Sequence, residues 1–234
     1  MIKDELERIA PEGVDGERQG VALNDRALAA WEIASVTSSF LIAEWMVLPF
    51  AANSKLVMAV PVGLAFALML FSHRVRRESV REIGWRLGNF GRAVRLLLLP
   101  MLAAAIIIVG VGYFKKSLRF DRAQVLEWAW SLPLWALFQQ YVLQGFINRR
   151  AQLLYGRGLK SVLLVALIFA LLHLPNPWLS VATFAGGALW AYVYQRAPNL
   201  PALAISQALM SMLLALSIPP AMINSLRVGI KYFG

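Results

Sequence analysis

Apolar runs approaching the roughly 20 residues that cross a bilayer recur along this chain, and a run of that length predicts a spanning helix. The 234 residues are 59% hydrophobic and 15% charged, against roughly 45–50% and about 25% in a soluble domain. The spacing predicts an all-α polytopic membrane protein with about seven transmembrane helices. These lie over residues 29–50, 55–72, 96–114, 125–147, 161–174, 178–195 and 200–218. Residues 1–26 read as a polar cytosolic extension, with one short amphipathic turn around Leu6–Ile9 and no signal-peptide pattern. Residues 27–234 read as the membrane domain. Between the second and third spans, residues 73–95 hold seven arginines among Ile83, Trp85, Leu87 and Phe90. That mixture predicts an interfacial amphipathic helix on the cytoplasmic face, interrupted by Gly88 and Gly91. The positive-inside bias puts the amino terminus in the cytoplasm and favours the plasma membrane.

The net charge of +10 is therefore read as topology and as attraction to anionic lipids, with membrane lipids as partners and no nucleic acid. There is no cysteine and there are two histidines, His73 and His173. Thiolate chemistry is excluded, and a zinc site, needing three or more His, Cys or carboxylate ligands, is not expected. No cofactor is expected.

Chemistry concentrates in polar residues placed where lipid would demand apolar ones. The stretch Trp135–Arg150 carries Gln139, Gln140, Gln144 and Asn148 inside an apolar run. Such amides must face a bundle interior or a wet cavity. On an α-helix Gln140, Gln144 and Asn148 share a face. Two later apolar stretches answer it, one with His173, the other with Gln207 and Ser211. The expectation is that Gln139, Gln140, Gln144, His173, Gln207 and Ser211 line one interior cavity. Polar packing between helices explains any single amide, and explains the set less well. All 13 acidic residues lie at or before Glu127, so a carboxylate for this cavity would come from Glu32, Glu44 or Glu127, with Glu44 the best placed.

Over about residues 80–215 the chain resembles the CAAX prenyl protease and bacteriocin-processing family, also called abortive-infection-type membrane proteins. Three motifs carry the resemblance. Gln139-Gln140-Tyr141-Val142-Leu143-Gln144, followed by Gly145-Phe146 and Arg149-Arg150, stands where the family has E-E-x-x-x-R. Phe169 to His173 matches F-x-x-x-H. Gln207 to Ser211 stands where the family has H-x-x-x-N. The resemblance implies an intramembrane endopeptidase in which paired glutamates and histidines activate a water against a peptide bond of a prenylated or other membrane-embedded peptide. Here His173 alone keeps the family residue among the charged and imidazole positions. An amide cannot take a proton from water as a carboxylate does. Two functions remain open at this level. One is a peptidase with impaired or altered catalysis. The other is a non-catalytic relative, a pseudoenzyme, that uses the cavity to bind a lipidated peptide, a lipid or a partner protein.

Overall fold

A computed structural model describes residues 12–47 and 55–234, and every regular element in them is helical. The amphipathic turn expected at Leu6–Ile9 lies outside the described residues. Helix α1 (Glu12–Ile42) runs on into a wider turn at Ala43–Val47, and α2 (Lys55–Val75) packs against it. Residues 12–26 are thus continuous with the first span.

The expected interfacial helix over 73–95 is not a single element. Residues up to Val75 finish α2, and α3 is four residues long, Val80–Ile83. Ser79 starts α3 with a reciprocal cap: its hydroxyl accepts from the Glu82 amide, and the Glu82 carboxylate accepts from the Ser79 amide at 2.7 Å. Gly84, at φ 104°, ends it in the left-handed region that a Cβ disfavours. The break therefore falls at Gly84, and Gly91 sits inside the next helix, α4 (Phe90–Phe114).

Asp121 opens α5 (Arg122–Gln140), accepting from the amides of Ala123 and Gln124. The chain continues without a break through a wide, π-type stretch, Tyr141–Asn148, into α6 (Arg149–Tyr155). Then follow α7 (Leu159–Leu171), α8 (Pro177–Arg196) and α9 (Leu200–Ser217). An asparagine caps each of the last two. Asn176 accepts from Leu179 N and Asn199 from Ala202 N. Each amide also ties a distant loop: Asn176 Nδ2 donates to Ile223 O at 2.7 Å, and Asn199 Nδ2 to Arg86 O at 2.6 Å.

Among the described residues, three helices are long and apolar enough to cross a membrane: Leu23–Val47, Phe90–Phe114 and Leu200–Ser217. Ala59–Val75 and Leu159–Leu171 are apolar but shorter. At 1.5 Å per residue, α7 reaches only about 20 Å. The core packs around the wide stretch, whose Leu143, Phe146 and Ile147 are almost wholly buried, and takes in Val165, Phe169, Trp190 and Leu203. At Gly187 an added Cβ would meet Phe169 and Ala166 at 3.2–3.3 Å, so glycine lets α8 lie close on α7.

A buried ion cluster locks this bundle at one end. Arg150 is 0% exposed. Its guanidinium donates to Glu78 from Nη1 (2.9 Å) and Nη2 (3.0 Å), donates to Ser72 Oγ at 2.8 Å, and approaches Glu32 with Nε at 2.8 Å. Arg149 adds bonds to Glu78 from Nε and Nη2 at 2.9 and 2.7 Å, and Arg76 reaches Glu32 at 3.3 Å. Ser72 donates to Glu32, and His73 Nδ1 pairs with Glu78. The cluster joins α1, α2, the α2–α3 turn and α6.

Burial pushes the Glu78 carboxyl up. The hydrogen bonds from His73 and Arg150, the Arg150 charge and the hydrogen bond from Arg149 outweigh it and hold the group well below the usual carboxylate range. A carboxylate depressed in the folded state stabilises the fold above its unfolded value and loses that contribution as pH falls through the folded one. Thermal stability in detergent is thus expected to be flat in this respect from pH 8 to 5 and to fall below about pH 4. Glu78→Gln, which strands two arginines, is expected to cost about 3–5 kcal/mol near neutrality. An unchanged melting curve for that variant would remove the cluster's structural role. A second expectation concerns α4 against α9. A Cβ on Gly112 would come within 2.5 Å of the Ser217 carbonyl oxygen, whereas Gly110 has open space. Gly112→Ala should cost about 1–3 kcal/mol in thermal unfolding, and Gly110→Ala much less.

Candidate functional site

The wide stretch decides where the amides of α5 go. Its hydrogen bonds run i to i+5, so one revolution takes more residues than in an α-helix. Gln140 and Gln144, expected on one face, have different partners. Gln140 Nε2 donates to Gln207 Oε1 on α9 at 2.6 Å, and Gln207 Nε2 in turn donates to Gln139 Oε1. Gln144 Oε1 accepts from Asn148 Nδ2 at 2.8 Å, and Asn148 also receives Gln152 Nε2 at 3.0 Å and Gln195 Nε2 at 3.3 Å. The amides thus form two chains: Gln140–Gln207–Gln139, and Gln144–Asn148 with Gln152 and Gln195.

The first chain borders a cavity of about 640 Å³ enclosed by α4, α5, α8 and α9 and the end of α7. Four of the six sequence-expected residues, Gln139, His173, Gln207 and Ser211, line it. Gln140 and Gln144 do not; both are fully buried behind the wall. The remaining walls are mainly apolar, with Met101, Trp135, Leu189, Trp190 and Met210 among them.

His173 sits in the turn after α7, its ring 4.7 Å edge-on from Phe169. Its Nδ1 lies 2.7 Å from the Phe169 carbonyl oxygen. A carbonyl only accepts, so Nδ1 carries the hydrogen and Nε2 holds the lone pair in the neutral ring. The F-x-x-x-H spacing thereby fixes the tautomer.

Among the described residues lining the cavity there is no carboxylate. One acid, on the wide turn after α1, stands in an adjoining cavity. Glu44 lines a separate, smaller cavity of about 50 Å³ together with Phe40, Gln139 and Phe169. Trp135, Gln139 and Phe169 line both cavities. The Glu44 Oε2 is buried without a hydrogen-bond partner. Glu32 is committed to Arg150 and Arg76. Glu127 lies three turns before Gln139 on α5. Sequence reasoning noted Arg149-Arg150 beside the first motif but missed Glu78 and its pairing with Arg150. The signals were there: an acid inside the arginine-rich 73–95 segment, and an arginine pair directly after an apolar run. Among the described residues, no three His, Cys, Asp or Glu side chains gather in one place.

Long apolar helices around a polar-ended cavity define a helical membrane protein with an internal polar site. Residues 121–213 match the family model of the Type II CAAX prenyl endopeptidase Rce1-like proteins, a match that supports the resemblance to the CAAX protease family. The match begins at the Asp121 cap of α5 and ends within α9, so it contains every residue of the amide chain and His173. No curated protein and no solved structure matches the chain.

Gln207 accepts from one amide and donates to another, so its loss strands both. Gln207→Ala is expected to destabilise the protein by about 1–3 kcal/mol, read as a lowered melting temperature in detergent. Ser211→Ala, at the cavity surface, should change it little. Equal effects would mean that the amide chain is not a structural unit.

Proposed function

We propose that this multi-pass membrane protein takes the lipid-bearing end of a prenylated or otherwise lipidated, membrane-embedded peptide into the α4–α9 cavity, and that its power to hydrolyse the peptide is lost or strongly reduced. The observation that carries this reading is the Gln140–Gln207–Gln139 chain at the end of an apolar cavity. Apolar walls suit an isoprenoid or acyl chain, and amides suit a peptide backbone, which likewise donates with N–H and accepts with C=O. None of the three amides can accept a proton from water. His173 Nε2 is the basic atom that remains at the cavity. Losing a general base costs typically ~10²–10⁴ in rate. The family match over residues 121–213 supports the peptide class of ligand. The paired arginines and the 73–95 segment at one end of the bundle support a cytoplasmic amino terminus in the plasma membrane. With α5 and α8 counted beside the apolar helices, the architecture is consistent with seven spanning or partly spanning elements.

A second reading has its own observation. Glu44 shares a small cavity with Gln139, and 50 Å³ is room for a few water molecules. A peptidase with an altered site would draw its carboxylate from there.

The test is a farnesylated peptide offered to the purified protein in nanodiscs, with binding and cleavage measured separately. Binding is expected, and it should weaken when Ala182→Trp fills the cavity. Cleavage should be absent or at least ~10² below ordinary endopeptidase rates. Cleavage at ordinary rates, abolished by both His173→Ala and Glu44→Gln, would replace this reading with the altered peptidase. Absence of binding would remove both.

A further inference from the structure

A second cavity, on another face of α5, has a different character. It measures about 650 Å³ and opens between α2 and α5. Phe66 and Leu70 of α2 face Leu134 and Phe138 of α5 across it. Phe66, Leu70 and Leu134 are all exposed, so this is a groove on the lipid-facing side. One end carries polar groups. Arg74, in the last turn of α2, lines it, as do His73 and Tyr141. His73 and Tyr141 are 5% and 7% exposed, and His73 Nε2 and the Tyr141 hydroxyl have no hydrogen-bond partner. Trp85, half-exposed at the rim, marks the level where aromatic rings meet lipid headgroups.

The arginines here divide into two sets. Arg76, Arg149 and Arg150 are consumed by Glu32 and Glu78. Arg74, Arg77 and Arg81 have no ion pair among the described residues. Glu78 borders the groove, but His73, Arg149 and Arg150 already occupy its oxygens. The groove's polar end is therefore net positive, beside donors left over from the fold.

We infer that the α2–α5 groove is a binding site for one anionic phospholipid, with an acyl chain between Phe66, Leu70, Leu134 and Phe138 and the phosphate on Arg74. From Phe66 to Arg74 α2 rises about 12 Å, long enough for the inner part of a chain and a headgroup at its end. A zwitterionic headgroup brings the same phosphate but adds a cationic ammonium beside Arg74, Arg77 and Arg81, so a net-anionic headgroup is the better match. The site is independent of the α4–α9 cavity and of any peptide bound there.

Native mass spectrometry of the full protein released from nanodiscs tests this, with phosphatidylglycerol and phosphatidylcholine of identical chains. The wild type should retain phosphatidylglycerol about fivefold or more over phosphatidylcholine, the weight of one arginine near the membrane surface. Arg74→Gln should abolish that preference and Arg74→Lys should keep most of it. Leu134→Trp, which fills the groove, should reduce retention of both lipids. Arg122→Gln, at the start of α5 and away from the groove, should do neither. Equal retention of the two lipids by the wild type would overturn the proposal. So would a preference that survives both Arg74→Gln and Leu134→Trp. Displacement of phosphatidylglycerol by millimolar inorganic phosphate would also overturn it, because the site would then read an anion without the chain. A melting temperature measured on each variant separates lost binding from lost folding, and Arg74→Lys carries the test if Arg74→Gln fails to fold.

Discussion

Arg150 is the residue on which the rest of the structure depends. A guanidinium with no exposure is tolerated in a fold when its charge is matched and most of its donors are met. Here Glu78 receives two of its nitrogens, Ser72 a third contact, and Glu32 the remaining face. These partners come from three other segments. Satisfying one side chain therefore fixes α1, the end of α2 and the α2–α3 turn against α6. The wide stretch that precedes Arg150 is held at that end, and its other end delivers Gln139 and Gln140 to Gln207. The ion cluster and the amide chain are the two anchors of one continuous helical element, residues 122–155. This explains why so polar an element stays inside an apolar bundle.

The cavity follows from those anchors. An amide trio linked by its own hydrogen bonds is electrically neutral and does not change protonation with pH. It differs in kind from a carboxylate–imidazole site, whose working state depends on a proton. What remains adjustable is His173, with its tautomer set by the Phe169 carbonyl. The three amides offer N–H donors and C=O acceptors and no proton acceptor, which is the chemistry the proposed ligand-holding role draws on. The Glu44 carboxylate stands next door rather than in the cavity.

Much of this was legible in the sequence because lipid makes polar residues conspicuous. Gln139, His173, Gln207 and Ser211 announced themselves as a set by standing in apolar runs, and they do border one cavity. Gln140 and Gln144 were misjudged because periodicity reasoning assumed a regular α-helix, and nothing in Tyr141–Asn148 signals a wider turn. The interfacial helix over 73–95 was read from its arginines and aromatics. Gly84, which splits it, is unremarkable until its φ is known. Span counting was least secure where helices carry amides or run short, as in α5 and α7. Glu78 and Arg150 were invisible as a pair because 72 positions separate them. An arginine-rich segment reads as a solvated face unless one of its two acids, Glu78, is known to turn inward.

The one-sidedness of the acids has a consequence for biosynthesis. Every Asp and Glu lies at or before Glu127, while Arg149 and Arg150 come later. Synthesis from the amino terminus therefore delivers Glu32 and Glu78 to the membrane before their main counterions exist. Ser72 and Arg76, made soon after Glu32, supply it with an interim donor and an interim charge. Glu78 has His73 five residues away. The final exchange, in which Arg150 takes both acids at once, waits until α6 emerges. Residues 121–213, the stretch that matches the family model, bring the buried Arg150 without Glu32 and Glu78, the two acids that meet it in the fold.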